Sequence, residues 1–237
     1  MFLFGTKKSP NYEERKNGMA PYIILLHYTG MESMEAARDR LTDPESKVSA
    51  HYLVDEDGTV MELVSESKRA WHAGLSYWKG EEDINSASIG IEIVNPGHEF
   101  GYRPFPYEQM VAVRDLCLKI QSRHKIKYVL GHSDVAPDRK IDPGELFEWE
   151  WLAENGVGFW PHPTEEEEQR AKDIASRDYD VEKLFVKLGY HPATAYVDIV
   201  SSFHRHYLPT TFGAETQTIV HHKTVAYLLA LLRHYQN

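Results

Sequence analysis

Thirteen histidines are more than one site can use, so their positions say more than their number. His27 closes an apolar run at residues 22–26, and His132 follows a second short run at 127–130. A side chain at a strand end is held by a rigid element at an open sheet edge, where catalytic groups of sheet-based enzymes collect. Asp142 stands beyond His132 in Asp142-Pro143-Gly144, a sequence that makes a stiff turn. Two histidines and one carboxylate form a three-ligand zinc set with a fourth position left for water. With so many histidines, such a set also arises by chance, and spacing alone leaves it one candidate among several.

Glu92 is an independent signal. Within residues 88–94, Ile89, Ile91 and Ile93 point one way, and Gly90, Glu92 and Val94 the other. No ladder of charges surrounds this glutamate, which favours a pocket over a solvated sheet face. A carboxylate beside a metal can take the proton of an attacking water. Lys140, next to Arg139, could bring positive charge to the oxyanion formed when a carbonyl is attacked, although taken alone it reads better as a surface lysine.

The elements needed to hold these groups alternate along the first part of the chain. Residues 22–26 read as a buried strand and 33–41 as a short helix. Residues 50–54 and 59–64 flank Asp55-Glu56-Asp57-Gly58, a hairpin signal. Residues 107–124 carry Met110, Val113, Leu116, Cys117 and Ile120 at helical spacing, so Cys117 reads as a small buried hydrophobe. After Gly144 the stripe Leu146, Trp149, Leu152 and Ala153 predicts another helix. This is an α/β domain with a mixed sheet flanked by helices. Glycines and prolines in 156–163 suggest a boundary, and the run of glutamates from Glu165 reads as a solvated helix start or a linker. Three further stripes predict a small three-helix domain: Val181 to Leu188, Tyr196 to Tyr207 and Val225 to Leu232. The expected division is 1–163, a linker at 164–177, and 178–237.

The formal charge of −10 excludes a general binder of nucleic acid or of anionic membranes. A single cysteine excludes an internal disulfide framework and a thiolate-rich metal site. No apolar stretch reaches the length of a membrane span. The apolar start is too short for a signal-peptide core, so the chain as written is expected in the cytoplasm, or in the periplasm or envelope if its start has been trimmed.

Several ordered motifs carry a resemblance. They are Ile23-Ile-Leu-Leu-His27-Tyr-Thr, Ser49-Ala-His-Tyr-Leu-Val-Asp-Glu-Asp-Gly58, Ala70-Trp-His-Ala-Gly74, Ser88-Ile-Gly-Ile-Glu92, and the stretch from Gly131-His132 to Asp142-Pro-Gly144. Over residues 9–163 the chain resembles the type 2 N-acetylmuramoyl-L-alanine amidases, within them the bacterial enzymes that accept muropeptides, anhydro-muramyl forms included. The resemblance implies that His27, His132 and Asp142 hold one Zn2+ per chain. It implies that Glu92 is the acid/base carboxylate, that Lys140 is the cation beside the metal, and that Trp71 and His72 line the substrate groove. Phage-type members carry a catalytic tyrosine where this chain has Ala50, which moves the catalytic burden to Glu92. His51 is expected to support the site or the fold.

The implied reaction is hydrolysis of the amide between the lactyl group of muramic acid and L-alanine, with peptidoglycan or a muropeptide as substrate. Two rivals stand beside it: a recognition module that binds peptidoglycan without cutting it, and a zinc peptidase acting within the stem. The tail, residues 178–237, resembles three-helix peptidoglycan-binding domains. It is expected to target the wall, with His204, His206, His221 and His222 exposed or capping, and a chain ending near Pro163 is expected to keep its activity on free muramyl peptides.

Overall fold

The computed structural model describes residues 2–3, 7–175 and 178–236. Its strands are β1 (Phe2–Leu3), β2 (Tyr12–Glu14), β3 (Ile23–Tyr28), β4 (Tyr52–Val54), β5 (Val60–Glu62), β6 (Lys68–Ala70), β7 (Ser88–Ile93) and β8 (Tyr128–Gly131). Its helices are α1 (Met34–Thr42), α2 (Ile84–Ala87), α3 (Gly97–Phe100), α4 (Tyr107–Arg123), α5 (His132–Val135), α6 (Trp149–Glu154), α7 (Glu165–Ile174), α8 (Asp178–Leu188), α9 (Tyr196–Tyr207) and α10 (His222–Gln236). The main sheet has the order β1-β5-β4-β7-β3-β8, and β2 pairs with β6 in a separate ribbon. Pairing is parallel among β4, β7, β3 and β8, and antiparallel in the β4–β5 hairpin. The sheet is therefore mixed, as expected.

A central parallel strand has no solvent face, which is why Ile23, Ile24, Leu25 and Leu26 form an unbroken apolar run, each fully buried. Alternation on β7 divides the two layers. Ile89, Ile91 and Ile93 meet Met110, Val113 and Ile120 of α4 in one core cluster. On the other face Val94 joins Leu53, Leu63 and the α1 residues Met34, Ala37 and Leu41. Ser33 caps α1 by accepting from the Ala36 N–H, as its place before the apolar stripe suggests. Cys117 is buried and its thiol is pushed up by burial alone.

Three expectations need correction. The helix after Gly144 is confined to Trp149–Glu154, and Leu146 is exposed, because Phe147 turns inward in its place. The acidic stretch is a helix, not a linker: Thr164 and Glu167 form a reciprocal capping box, and Ala171 and Ile174 bury one face. Residues 176 and 177 of that expected linker, and residues 1 and 4–6 of the apolar start, lie outside the described residues. His204 and His206 are buried, while His221 and His222 are exposed.

The tail also shares its core with the sheet. A single cluster runs from Ile23 to Leu232. An aromatic seam lines the junction: Trp78 meets Tyr190 at 5.3 Å, Tyr128 meets Tyr235 at 5.1 Å, and Phe159 stacks on His234 at 3.7 Å. A chain ending after Pro163 should therefore melt well below the full chain and bind hydrophobic dyes, because it uncovers this seam. Calorimetry showing a fragment with the full chain's melting temperature would make the two parts independent.

Glu66 ties the end of α4 to the sheet. It accepts from Tyr52 at 2.7 Å, from Arg123 at 2.6 Å and from His124 at 2.7 Å. Burial alone would raise its pKa, but these bonds outweigh burial and lower it from 4.5 to about 2. A carboxylate whose folded pKa is depressed stabilises the fold above its unfolded pKa and loses that contribution as pH falls. Stability should drop between about pH 4.5 and pH 2, and Glu66→Gln should flatten that acid limb while lowering stability at neutral pH.

Candidate active site

The parallel register builds the site. His27 on β3 is the partner of Glu92 on β7, and Leu26 is the partner of Gly131, so His132 follows level with His27. In-register residues of parallel strands face the same way, which sends all three side chains toward the α1 side at the carboxyl ends of the strands. Asp142 arrives from the loop beyond α5. The Ser133 N–H donates to the Asp142 carbonyl at 3.0 Å, which pins that loop to the end of β8.

His27 Nδ1 lies 3.0 Å from His132 Nδ1 and 3.0 Å from Asp142 Oδ2, and His132 Nδ1 lies 3.1 Å from the same oxygen. These three buried residues form the cluster able to hold a metal ion among the described residues. Their outer atoms fix which nitrogen is free. His132 Nε2 lies 3.0 Å from the Ala73 carbonyl, which can only accept, so Nε2 donates and Nδ1 faces inward. His27 Nε2 lies 3.1 Å from His72 Nδ1. Burial, reinforced by His132, lowers the His27 pKa to about 4, leaving it neutral at pH 7. Burial opposes ionisation of Asp142, but the bonds and charge of the two histidines hold it well below the usual carboxylate range. Two inward imidazole nitrogens and a carboxylate oxygen suit a cation at their centre, so the donor set fits a metal.

Glu92 borders the same cleft, of about 250 Å³, together with Lys140, Arg40, Trp71 and the three clustered residues. Its Oε2 is shut off from solvent and has no hydrogen-bond partner among the described residues. Burial, with the Asp142 charge adding to it, pushes its pKa well above the ordinary value, and Lys140 pulls the other way. A buried carboxylate oxygen without a partner is costly, so the fold tolerates it where something else is meant to bind. Trp71 is at the cleft wall with its backbone clamped to Ser49, and its buried indole Nε1 also lacks a partner among the described residues.

His72 touches the cleft but sits mainly behind His27, stacked edge-on at 5.1 Å. Burial and its histidine neighbours keep it far below its usual pKa. His51 is one layer further back, where its Nδ1 accepts from the Gly90 N–H and Arg15 lies 3.1 Å from its Nε2. Sequence reasoning did not find Arg40, which carries no motif, nor the role of Gly90 in admitting His72.

Chemistry of this kind belongs to hydrolases that attack a carbonyl beside a metal ion, and known proteins narrow that class. Residues 17–145 match the family profile described as N-acetylmuramoyl-L-alanine amidase, and the chain belongs to that family. It is 32% identical to the N-acetylmuramoyl-L-alanine amidase AmiD of Escherichia coli, over 90% of this chain and 87% of that protein. The structure of AmiD in complex with anhydro-N-acetylmuramic acid-L-Ala-D-gamma-Glu-L-Lys covers 95% of this chain and 98% of its own, at 30% identity and a TM-score of 0.77. AmpDh3 of Pseudomonas aeruginosa, in complex with anhydromuramic pentapeptide, covers 92% of this chain and 93% of its own at 30% identity, with a TM-score of 0.80. The 1,6-anhydro-N-acetylmuramyl-L-alanine amidase AmpD of Escherichia coli is 32% identical over 62% of this chain and 90% of its own length.

A Cβ on Gly90 would stand 2.5 Å from the His72 ring. Gly90→Ala should therefore push His72 against His27 and cost roughly 1–3 kcal/mol, the usual penalty of overpacking a buried site. Chemical denaturation checks it; a wild-type midpoint would mean that the ring has room to move.

Proposed function

We propose that this chain is a zinc-dependent amidase that hydrolyses the bond between the lactyl group of N-acetylmuramic acid, in ordinary or anhydro form, and the L-alanine of the peptide stem. The observation that carries the reading is the convergence of His27 Nδ1, His132 Nδ1 and Asp142 Oδ2 within 3.1 Å of one another, in a cleft that also holds an unpartnered Glu92. Membership of the amidase family supports the bond cleaved, and the complexes of AmiD and AmpDh3 support a muropeptide as the substrate.

His27, His132 and Asp142 would hold the ion, a nitrogen–nitrogen–oxygen set that suits zinc and leaves a position open. Zinc supplies a Lewis acid that polarises a carbonyl and acidifies water. Glu92, raised in pKa by its surroundings and turned into the cleft, takes the proton of the attacking water and delivers it to the leaving L-alanine nitrogen. The Lys140 ammonium stabilises the negative charge that grows on the lactyl oxygen. Trp71 forms a wall for the substrate. His72 both borders the cleft and orients His27, because its Nδ1 takes the Nε2–H of His27 and leaves His27 Nδ1 for the ion.

The test is metal content and product analysis together. The chain should bind one zinc, lose activity on chelation, and regain it when zinc is restored. Glu92→Gln should keep zinc and lose about 10²- to 10⁴-fold in turnover, the usual worth of a positioned general base. Lys140→Ala should lower turnover with zinc retained. Mass spectrometry should find intact stem peptide and free sugar; a shortened stem peptide would sink the amidase reading.

A further inference from the structure

The tail reaches into the site from behind. Asp134, in the short helix α5 next to His132, has both carboxylate oxygens engaged. Its Oδ2 accepts the Gly131 N–H at 2.7 Å and the Nδ1–H of His206 at 2.7 Å. Its Oδ1 accepts the Tyr190 hydroxyl at 3.3 Å. One residue back, the Ser133 carbonyl accepts the Ser202 hydroxyl at 2.7 Å. Asp134, Tyr190, Ser202 and His206 are each under 5% exposed. His206 is held in place by stacking on Trp149 at 3.8 Å between ring centres.

These bonds surround His132. Gly131 and Ser133 are its chain neighbours. The Gly131 N–H is fixed by Asp134, and the peptide of Ser133 is gripped at both ends, its N–H by the Asp142 carbonyl and its own carbonyl by Ser202. There is little slack elsewhere: a Cβ at Gly131 would meet Pro143 at 2.9 Å and Trp149 at 3.2 Å. On its Asp134 side the turn is braced by His206 and Ser202 of α9 and by Tyr190 just beyond α8, and further along α5 the Tyr77 N–H donates to the Val135 carbonyl at 2.8 Å.

We propose that the C-terminal helical part is a working part of the amidase site, with His206 a positioning residue that fixes the direction of His132 through Asp134, assisted by Tyr190 and Ser202. This rests on reading His132 as a metal ligand. Residues that orient the ligands of a metal set its affinity and reactivity through geometry, and their removal costs about 10- to 100-fold.

The experiment compares His206→Leu, His206→Asn and Tyr190→Phe in the full-length zinc protein. Leucine fills the space without a donor, and asparagine restores an N–H near the Nδ1 position. Tyr190→Phe removes only a hydroxyl and keeps the ring packed on Trp78. Zinc release to a chelating dye, kcat and KM on a muramyl tripeptide, and the melting temperature are read for each. His206→Leu should release zinc about tenfold faster and lose about tenfold in kcat, with KM within about twofold. His206→Asn should recover most of both. Tyr190→Phe should shift both a few-fold in the same direction. A folded His206→Leu protein with wild-type release and kcat overturns the proposal, as does a lower melting temperature with both unchanged. Failure of asparagine to rescue overturns it too, because packing would then explain the loss. If His206→Leu does not fold, Tyr190→Phe decides on the same readouts. His132→Ala is the control for the reading beneath: zinc retained at full affinity there overturns the ligand assignment itself, and this proposal with it.

Discussion

Three donor atoms within 3.1 Å of one another, buried at the end of a sheet, repel one another unless a proton or a cation lies among them. The rest of the structure follows from that constraint. Each imidazole is turned inward because its outer nitrogen is already committed, His132 to the Ala73 carbonyl and His27 to His72, while the loop that carries Asp142 is pinned by the Ser133 N–H on the Asp142 backbone carbonyl. A hydrogen-bonded rear makes the inward lone pair the only one left to offer. The parallel register then sets the spacing, because level partners on β3, β7 and the end of β8 face one cleft. Moving any of these strands by one residue would turn its ligand to the opposite face.

The same logic explains why small residues surround the histidines. Gly90 leaves space for the His72 ring, and Gly131 leaves space for Pro143 and Trp149. Each glycine gives up side-chain packing so that an aromatic ring or a turn can come close to the backbone. Glu92 stands two residues beyond Gly90 on the same strand face and borders the cleft. Its Oε2 is buried beside the cleft without a hydrogen-bond partner among the described residues. A shielded acid beside an array that demands a cation is a state whose two costs are relieved together once a cation and a water arrive.

Much of this was legible in the sequence because it depends on local periodicity. The strand ends at His27 and His132 follow from apolar runs, and Glu92 stands out against the alternation of Ile89, Ile91 and Ile93. What stayed hidden depends on contacts between distant positions. His72 carries a groove motif, and only its position over Gly90 shows that it also backs His27. Leu146 fits a helical stripe, yet Phe147 takes the inward position after the Asp142-Pro143-Gly144 turn. The acidic stretch was misread because charge was weighed above the Thr164–Glu167 capping pair and the spacing of Ala171 and Ile174. His206 is the clearest case: its partner is 72 residues away. A faint signal existed, since Ile199, Ser202, Phe203 and His206 recur on one face of α9, but a serine and a histidine on a stripe look like its polar margin until their partners are known.

That hidden contact changes what the tail has to be. A tethered targeting module needs only a linker and its own core, and its loss should leave the chemistry untouched. Here the tail contributes to the same core as the sheet, covers Trp149 and Tyr128, bonds the Ser133 carbonyl just after His132, and donates to Asp134, which holds the Gly131 N–H just before it. The match to AmpD spans 62% of this chain and 90% of AmpD's own length. Once helices cover the back of the turn, a carboxylate such as Asp134 can be buried there only if they supply its donors, and His206 and Tyr190 do so. Removing the helices would return Asp134 to water, leaving its Gly131 bond exposed to competition and the turn free to drift. A wall-binding role for the outer face of the bundle is compatible with this, because the residues that brace the turn point inward and leave that face unused.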